Sequence, residues 1–213
     1  MYNNYNKNMN VDKLPKTIPI FPLSNFIMFP GTTVPLNIFE PRYLQMVNDS
    51  MKKHRIIGMI QPKKTGKLEK PDLYNIGCIG KITSFNETED GRILIILNGI
   101  CRFKIESEIQ TDKLYRECDV QYNNFSDDVS NSIGNLNFSD LNIIMENMQK
   151  FFKKQGYIVN LKELNKKDLT QTLNDLSMAS PFSLEEKQIL LESRDINIRK
   201  EKMEQILNNY IKD

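Results

Sequence analysis

The chain is poor in the residues from which most enzyme centres are built. Its 213 residues include one histidine, His54, no tryptophan, and three cysteines, Cys78, Cys101 and Cys118. One histidine excludes a His-rich metal centre, and any histidine-dependent triad would have to run through that residue. The cysteines form no even framework and no C-x-x-C pair, which fits a reducing compartment and disfavours a structural zinc site. An excess of one charge is also missing. Lys and Arg number 29 against 27 Asp and Glu, a formal net charge of +2, too balanced for field strength to indicate a nucleic acid or a membrane as partner. Residues 18–39 are uncharged, a stretch longer than a membrane span requires. Yet Pro19, Pro22, Pro30 and Pro35 each remove a backbone donor, and Ser24, Asn25, Thr32, Thr33 and Asn37 interrupt the apolar residues, so short extended segments joined by turns are expected, not a membrane helix. The first 16 residues are polar and asparagine-rich, with no apolar core of the kind a secretion signal needs. A disordered tail over residues 1–16 of a cytoplasmic protein is expected.

What is present suffices for a core: 39% hydrophobic residues, with 11 Phe, 8 Tyr and 10 Met, in a length that suits one domain or two small ones. The first half has strand character. Residues 18–22 and 34–39 are short and proline-marked, as at sheet edges, and Phe29-Pro30-Gly31 is a turn. Residues 40–53 change period, with Leu44, Val47 and Met51 on one helical face and Lys52, Lys53, His54 and Arg55 at the end where the helix dipole favours cations. A strand over 56–61 leads into a lysine-rich connection, 62–71, expected to be a mobile loop. Residues 78–86 and 92–97 form a hairpin with Asp90-Gly91 at its tip. Beyond Asn98-Gly99, alternation turns Cys101, Phe103 and Ile105 inward and Arg102, Lys104 and Glu106 outward; Cys118, Val120 and Tyr122 repeat the inward set. After a polar linker over 123–138 the period becomes 3.6. Leu141, Ile144, Met145, Met148 and Phe152 make one stripe, Leu169, Leu173 and Leu176 a second, and Met203, Ile206, Leu207, Tyr210 and Ile211 a third. Ser139 is a candidate N-cap, and Ser183 with Glu186 has capping-box spacing. The expected class is α+β: a β subdomain over 17–122 with one inserted helix, then a helical bundle over 139–213.

Catalytic motifs fail on inspection. Thr65-Gly66-Lys67 resembles the end of a phosphate loop, but Gln61 stands where its first glycine belongs and Leu68 where Ser or Thr should follow. Gly77 and Gly80 are too few for a dinucleotide fingerprint and suit a bulge or close strand packing. The cysteines fit inert core thiols better than nucleophiles, and a hydrolase using Cys118 or His54 is the least favoured reading. Glu89-Asp90, Asp127-Asp128 and Glu185-Glu186 lie in turns or at helix starts. No catalytic residue, metal or cofactor is expected. Lys52, Lys53, Arg55, Lys63, Lys64, Lys67 and Lys70 could form a basic patch, but no aromatic residues interleave with them to stack on bases; a solvated loop is favoured over nucleic acid. One apolar cluster stands out: Phe21, Phe26, Ile27, Met28 and Phe29 crowd into nine positions, either exposed as a peptide-binding surface or plugging an open end of the β subdomain.

These residues also carry a family likeness. Ile18-Pro-Ile-Phe-Pro-Leu23, then Phe29-Pro-Gly31, then Pro35-Leu-Asn-Ile-Phe-Glu-Pro-Arg-Tyr-Leu44 resemble the opening of the N-terminal domain of Lon proteases. Ile76-Gly-Cys-Ile-Gly80 resembles the entry into that family's long strand, Asn98-Gly-Ile-Cys-Arg-Phe103 its "G-x-x-R-F" stretch, and Ser180 to Glu192 the helical end of stand-alone bacterial members. The likeness spans residues 18–207. It implies a β-barrel of the pseudouridine-synthase-associated (PUA-like) type with one helix, followed by helices, and a bulge rather than a tight turn at Asn98-Gly99. It further implies a non-catalytic module that binds exposed apolar or unfolded segments of client polypeptides, or a Lon-type protease, with RNA binding as the alternative. No Walker loop and no match to the proteolytic Ser-Lys pair is found. Pro22, Pro30, Gly31, Glu40, Pro41, Arg42 and Tyr43 match the motif as scaffold, with Arg42 expected to pair with a carboxylate and Tyr43 to pack on the sheet.

Overall fold

The computed structural model describes residues 10–67, 70–130, 138–157 and 168–212. Two compact units divide the chain, Met1–Asn131 and Ser132–Asp213, and the α+β class holds across them. In the first, the order is β1 (Thr17–Pro22), β2 (Thr33–Ile38), α1 (Pro41–Met51), β3 (Ile56–Ile60), β4 (Pro62–Lys67), β5 (Lys70–Leu73), β6 (Ile76–Glu87), β7 (Ile93–Ile109) and β8 (Arg116–Gln121). β1 and β3 run parallel, with Ile20 opposite Gly58; the connection between them carries β2 and α1. All other pairings are antiparallel.

The 17 residues of β7 organise this unit. One edge pairs with β6 through residues 93–104, while the other serves β2 through residues 93–98 and β8 through residues 104–109. Pairing with β8 closes β7, β6, β3, β1 and β8 into a ring; β2 lies outside it as a terminal strand. The handover occurs at a bulge. Ile79 faces Cys101 but Gly80 faces Gly99, leaving Ile100 as the extra residue, which bends the strand as bulges do. Gly99 also receives the Phe29–Thr32 turn: Gly31 N–H donates to its carbonyl at 2.9 Å and its own N–H donates to Thr32 at 2.8 Å. A Cβ on Gly99 would run into the Phe29 carbonyl. Inside the ring, Ile18, Ile20, Ile79, Cys101, Phe103 and Cys118 are fully buried. Gly58 and Gly77 leave the space that the Phe103 ring fills, since a Cβ on either would meet it at 3.1 or 2.7 Å.

Several expectations change here. Residues 10–16 are docked, not tail. Leu14 is buried, the Tyr122 hydroxyl donates to the Pro15 carbonyl at 2.7 Å and Val120 N–H to that of Lys16 at 2.8 Å; residues 1–9 lie outside the described ones. The segment 123–130, expected as linker, forms a 3-10 turn over Asn123–Asp128 with Phe125 and Val129 in the core. Arg102, expected to face solvent, is buried against it. The 62–71 connection is a two-stranded ribbon, β4 with β5. In α1 the buried face is Tyr43, Met46, Val47 and Ser50, so Val47 of the expected stripe is buried while Leu44 and Met51 are half-buried. Arg42 does pair with Glu40, at 2.7 Å, and the Tyr43 ring packs 4.2 Å from that of Phe21.

The second unit contains α2 (Phe138–Lys154), α3 (Leu169–Ala179), α4 (Leu184–Leu191) and α5 (Ile196–Lys212). Leu141, Ile144, Met145, Met148 and Phe152 are buried along α2, Leu173 and Leu176 along α3, and Met203, Ile206 and Leu207 along α5, as the 3.6 periodicity predicts, while Leu169, Tyr210 and Ile211 of the expected stripes are half-buried. Phe151, outside the expected stripe, is fully buried, 5.4 Å from Phe182 and 4.6 Å from Tyr210. The capping box forms: Ser183 Oγ accepts from Glu186 N–H at 3.2 Å, and Glu186 Oε2 accepts from Ser183 N–H at 2.8 Å. Ser139 lies inside α2, not at its cap. Among the described residues, no helix is long and apolar enough to cross a membrane.

Candidate protein-interaction surface

The apolar loop singled out in the sequence is mostly core. Phe21, Ile27, Met28 and Phe29 are at most 5% exposed, and Phe26 is half-buried. A Cβ on Gly80 would meet Met28 Cε at 2.8 Å, so Met28 occupies the gap that glycine leaves. The hydrogen bonds of the Phe29–Thr32 turn to Gly99 pin the segment inward, and Thr32 Oγ1, itself buried, donates to the Phe29 carbonyl at 2.6 Å. Of the five residues expected as a peptide-binding surface, only Phe26 keeps partial exposure.

Apolar side chains reach solvent elsewhere, on the outer face of β2, β7 and β6. Phe39 is 62% exposed, Leu94 43% and Ile96 39%. Register explains the strip. Pro35 lies opposite Ile96, which faces Ser84; Asn37 lies opposite Leu94, which faces Asn86. Side chains alternate across the pleat, so Pro35, Ile96 and Leu94 share one side with Thr33, Asn98, Ser84 and Asn86. Thr33 Oγ1 donates to Asn98 Oδ1 across that side at 3.0 Å. Phe39 follows β2 where the pairing ends at Ile38 and Ile93. Along the sheet the strip is flanked by uncharged residues as far as Asn98, which lies opposite Lys81, and at its hairpin end it opens into a shallow concavity lined by Asn37, Asn86, Glu87, Glu89, Asp90 and Arg92. There Arg92 is paired with Asp90 at 2.9 Å. The Thr88 hydroxyl and then the Arg92 N–H hydrogen-bond Asp90 and hold its carboxyl below the usual range. Sequence reasoning missed this strip because Ile93-Leu94-Ile95-Ile96-Leu97 is apolar throughout. Residues 93, 95 and 97 are buried and 94 and 96 are not, a difference that periodicity of β7 alone does not carry. The alternation of the partner strand, Thr33-Val-Pro-Leu-Asn-Ile38, is the signal that could have found it.

The catalytic candidates are not brought together. All three cysteines are buried. Burial, and next the charge of Asp128, pushes the Cys101 thiol up, and burial raises Cys118 to about 11; both are protonated thiols far from nucleophilic form. His54 is exposed in the turn after α1. Lys63 lies 5.9 Å from the Tyr74 ring centroid and Lys70 is paired with Glu108 at 3.0 Å. No group of three or more His, Cys, Asp or Glu that could hold a metal ion occurs among the described residues.

Comparison with known proteins fits this arrangement to a family. The model of the ATP-dependent protease La (LON) substrate-binding domain matches residues 17–209. The chain belongs to the Lon substrate-binding-domain family. A Lon protease of Desulfosudis oleivorans is 26% identical over 231 aligned positions, covering 97% of this chain and 26% of the relative. One from Parabacteroides distasonis is 35% identical over 105 positions, covering 48% of this chain and 13% of its own length. The chain thus spans about a quarter or less of the curated Lon relatives it matches. Among solved structures, a Lon N-terminal domain protein from Xanthomonas campestris superimposes with a TM-score of 0.64 at 21% identity, covering 90% of this chain and 97% of that one. The N-terminal domain of a Mycobacterium avium complex Lon protease gives 0.64 at 13% identity, covering 91% and 99%. Both likenesses are of fold.

Proposed function

We propose that this chain is a non-catalytic recognition module of the cytoplasm that binds exposed apolar segments of unfolded polypeptides through the outer face of β2, β7 and β6, for itself or on behalf of a Lon-type protease partner. Membership of a substrate-binding-domain family supports a recognition role. The observation that carries the surface is the cluster of Phe39, Leu94 and Ile96 in solvent beside Pro35 on a terminal strand. Contiguous apolar surface of that kind marks interaction sites. Pro35 lacks an N–H, which makes β2 a poor template for adding a strand, so side-chain contacts on the face are the favoured mode.

Fluorescence anisotropy with a reduced, carboxymethylated model protein, which cannot refold, tests this. Leu94→Ser with Ile96→Ser is expected to weaken binding about fivefold or more while lowering the melting temperature by a few degrees without loss of the cooperative transition, because each side chain is about two-fifths exposed. Unaltered affinity in that variant would place the binding surface elsewhere and end the proposal. So would a wild-type chain that ignores the unfolded protein and captures oligouridylate with a steep salt dependence, the behaviour of a phosphate-contacting surface.

A further inference from the structure

The strip is not symmetrical, and its asymmetry bears on what it accepts. Beside it along the sheet lie the neutral Thr33, Asn98, Ser84 and Asn86, and Lys81, opposite Asn98, stands at the end away from the hairpin. At the hairpin end, Glu87, Glu89 and Asp90 gather round the concavity with a single cation, Arg92, already engaged by Asp90. Glu87 and Glu89 are exposed and in excess there. A chain with a formal net charge of +2 therefore presents its apolar strip with a local negative end. We propose that the surface selects extended polypeptide segments in which apolar residues are followed within about four positions by Lys or Arg, the apolar side chains lying on Pro35, Leu94 and Ile96 and the cation meeting Glu87 and Glu89. This rests on the recognition role proposed above and specifies its substrate class.

The lining of the concavity supports the spacing. Ile96 and Leu94 are two residues apart on one face, about 7 Å at the usual strand rise. Glu87 is paired with Ile93, so the pleat turns it from the strip side, but at the strand end it lines the same concavity as Asn86 and Leu94, as does Glu89 in the turn that follows. A segment lying along β7 brings its next residues over that turn, where a flexible Lys or Arg stem reaches a carboxylate without leaving the apolar surface. Lysine-rich β4–β5 ribbon residues cannot serve that purpose for such a segment, since they repel its cation.

Two fluorescent peptides decide the matter, identical in an apolar half and differing only in Lys or Glu in the flanking half, titrated against the full chain by anisotropy. At low ionic strength the Lys peptide is expected to bind about threefold to tenfold tighter, the range of one or two exposed charge contacts, and the gap is expected to shrink as salt is added. Glu87→Gln with Glu89→Gln should abolish the gap, and Glu87→Lys with Glu89→Lys should reverse it. The apolar contribution survives in both. Equal affinities for the two peptides in the wild type, or a gap that persists in the Gln variant, overturn the inference while leaving apolar recognition standing. Failure of both peptides to bind the wild type overturns the recognition reading and this one with it.

Discussion

The Arg102 side chain is 3% exposed and that of Asp128 8%. The carboxylate of Asp128 takes three donations from one residue, from the Arg102 backbone N–H, Nε and Nη2, each at 2.9 Å. The guanidinium also lies 4.5 Å from the Phe125 ring centroid. A pair so buried contributes little over an apolar substitute, but removing one partner strands the other charge in a low dielectric. Asp128→Ala is therefore expected to cost about 3–5 kcal/mol, read as a fall in the urea midpoint; a loss below about 1 kcal/mol would mean the guanidinium finds water. Strand alternation assigns Arg102 to solvent, and the side of the strand is indeed the outer one. What alternation omits is Asp128, 26 residues on, whose 3-10 turn covers that side. By contrast Arg42 with Glu40 and Tyr43 with Phe21 are local or near-local contacts, and the sequence motif anticipates both.

Elements show the same division. The capping box at α4 and the helical stripes are set within a few residues, so spacing alone predicts them. The β4–β5 ribbon is different, because its composition is that of a loop and long-range partners hold it. Glu108 of β7 receives Arg116 of β8 at 2.9 and 3.0 Å and Lys70 of β5 at 3.0 Å, while Arg116 Nη1 donates to the Pro71 carbonyl at 2.8 Å. Burial by itself raises the Glu108 carboxyl, but the hydrogen bonds from Arg116 and Lys70 outweigh it and hold the group below the usual carboxylate range. A carboxyl depressed in the folded state adds stability that is complete above its unfolded value and lost as pH falls through the folded one. Wild-type urea midpoints should therefore fall between about pH 5 and pH 3 more steeply than those of Glu108→Gln. Parallel acid limbs would show that Glu108 has the same affinity for protons folded and unfolded. The Gln variant should also expose the ribbon to protease near Lys70.

At the scale of the molecule, all three thiols lie in the first unit and are fully buried there, Cys101 and Cys118 inside the ring and Cys78 on the covered side it shares with Arg102. A chain ending at Asn131 is expected to keep Cys78, Cys101 and Cys118 unreactive towards a disulfide reagent until urea unfolds it in one cooperative step. Immediate reaction of the thiols in buffer would show that this core needs the rest of the chain. The sequence by itself determined the strand-rich first part and the helical second, the inserted helix, the buried cysteines and the family, because periodicity, caps and motif order are properties of neighbours along the chain. Only the tertiary structure decided that Phe21 and residues 27–29 are core, that residues 10–16 and 123–130 are docked, and that Leu94 and Ile96 face solvent. Those outcomes depend on which distant segment covers which side of β7, through the Gly99 bulge, the Asp128 turn and the outlying position of β2. An apolar residue is drawn out of water wherever such cover exists, and burial is therefore set by contacts between segments remote in the chain.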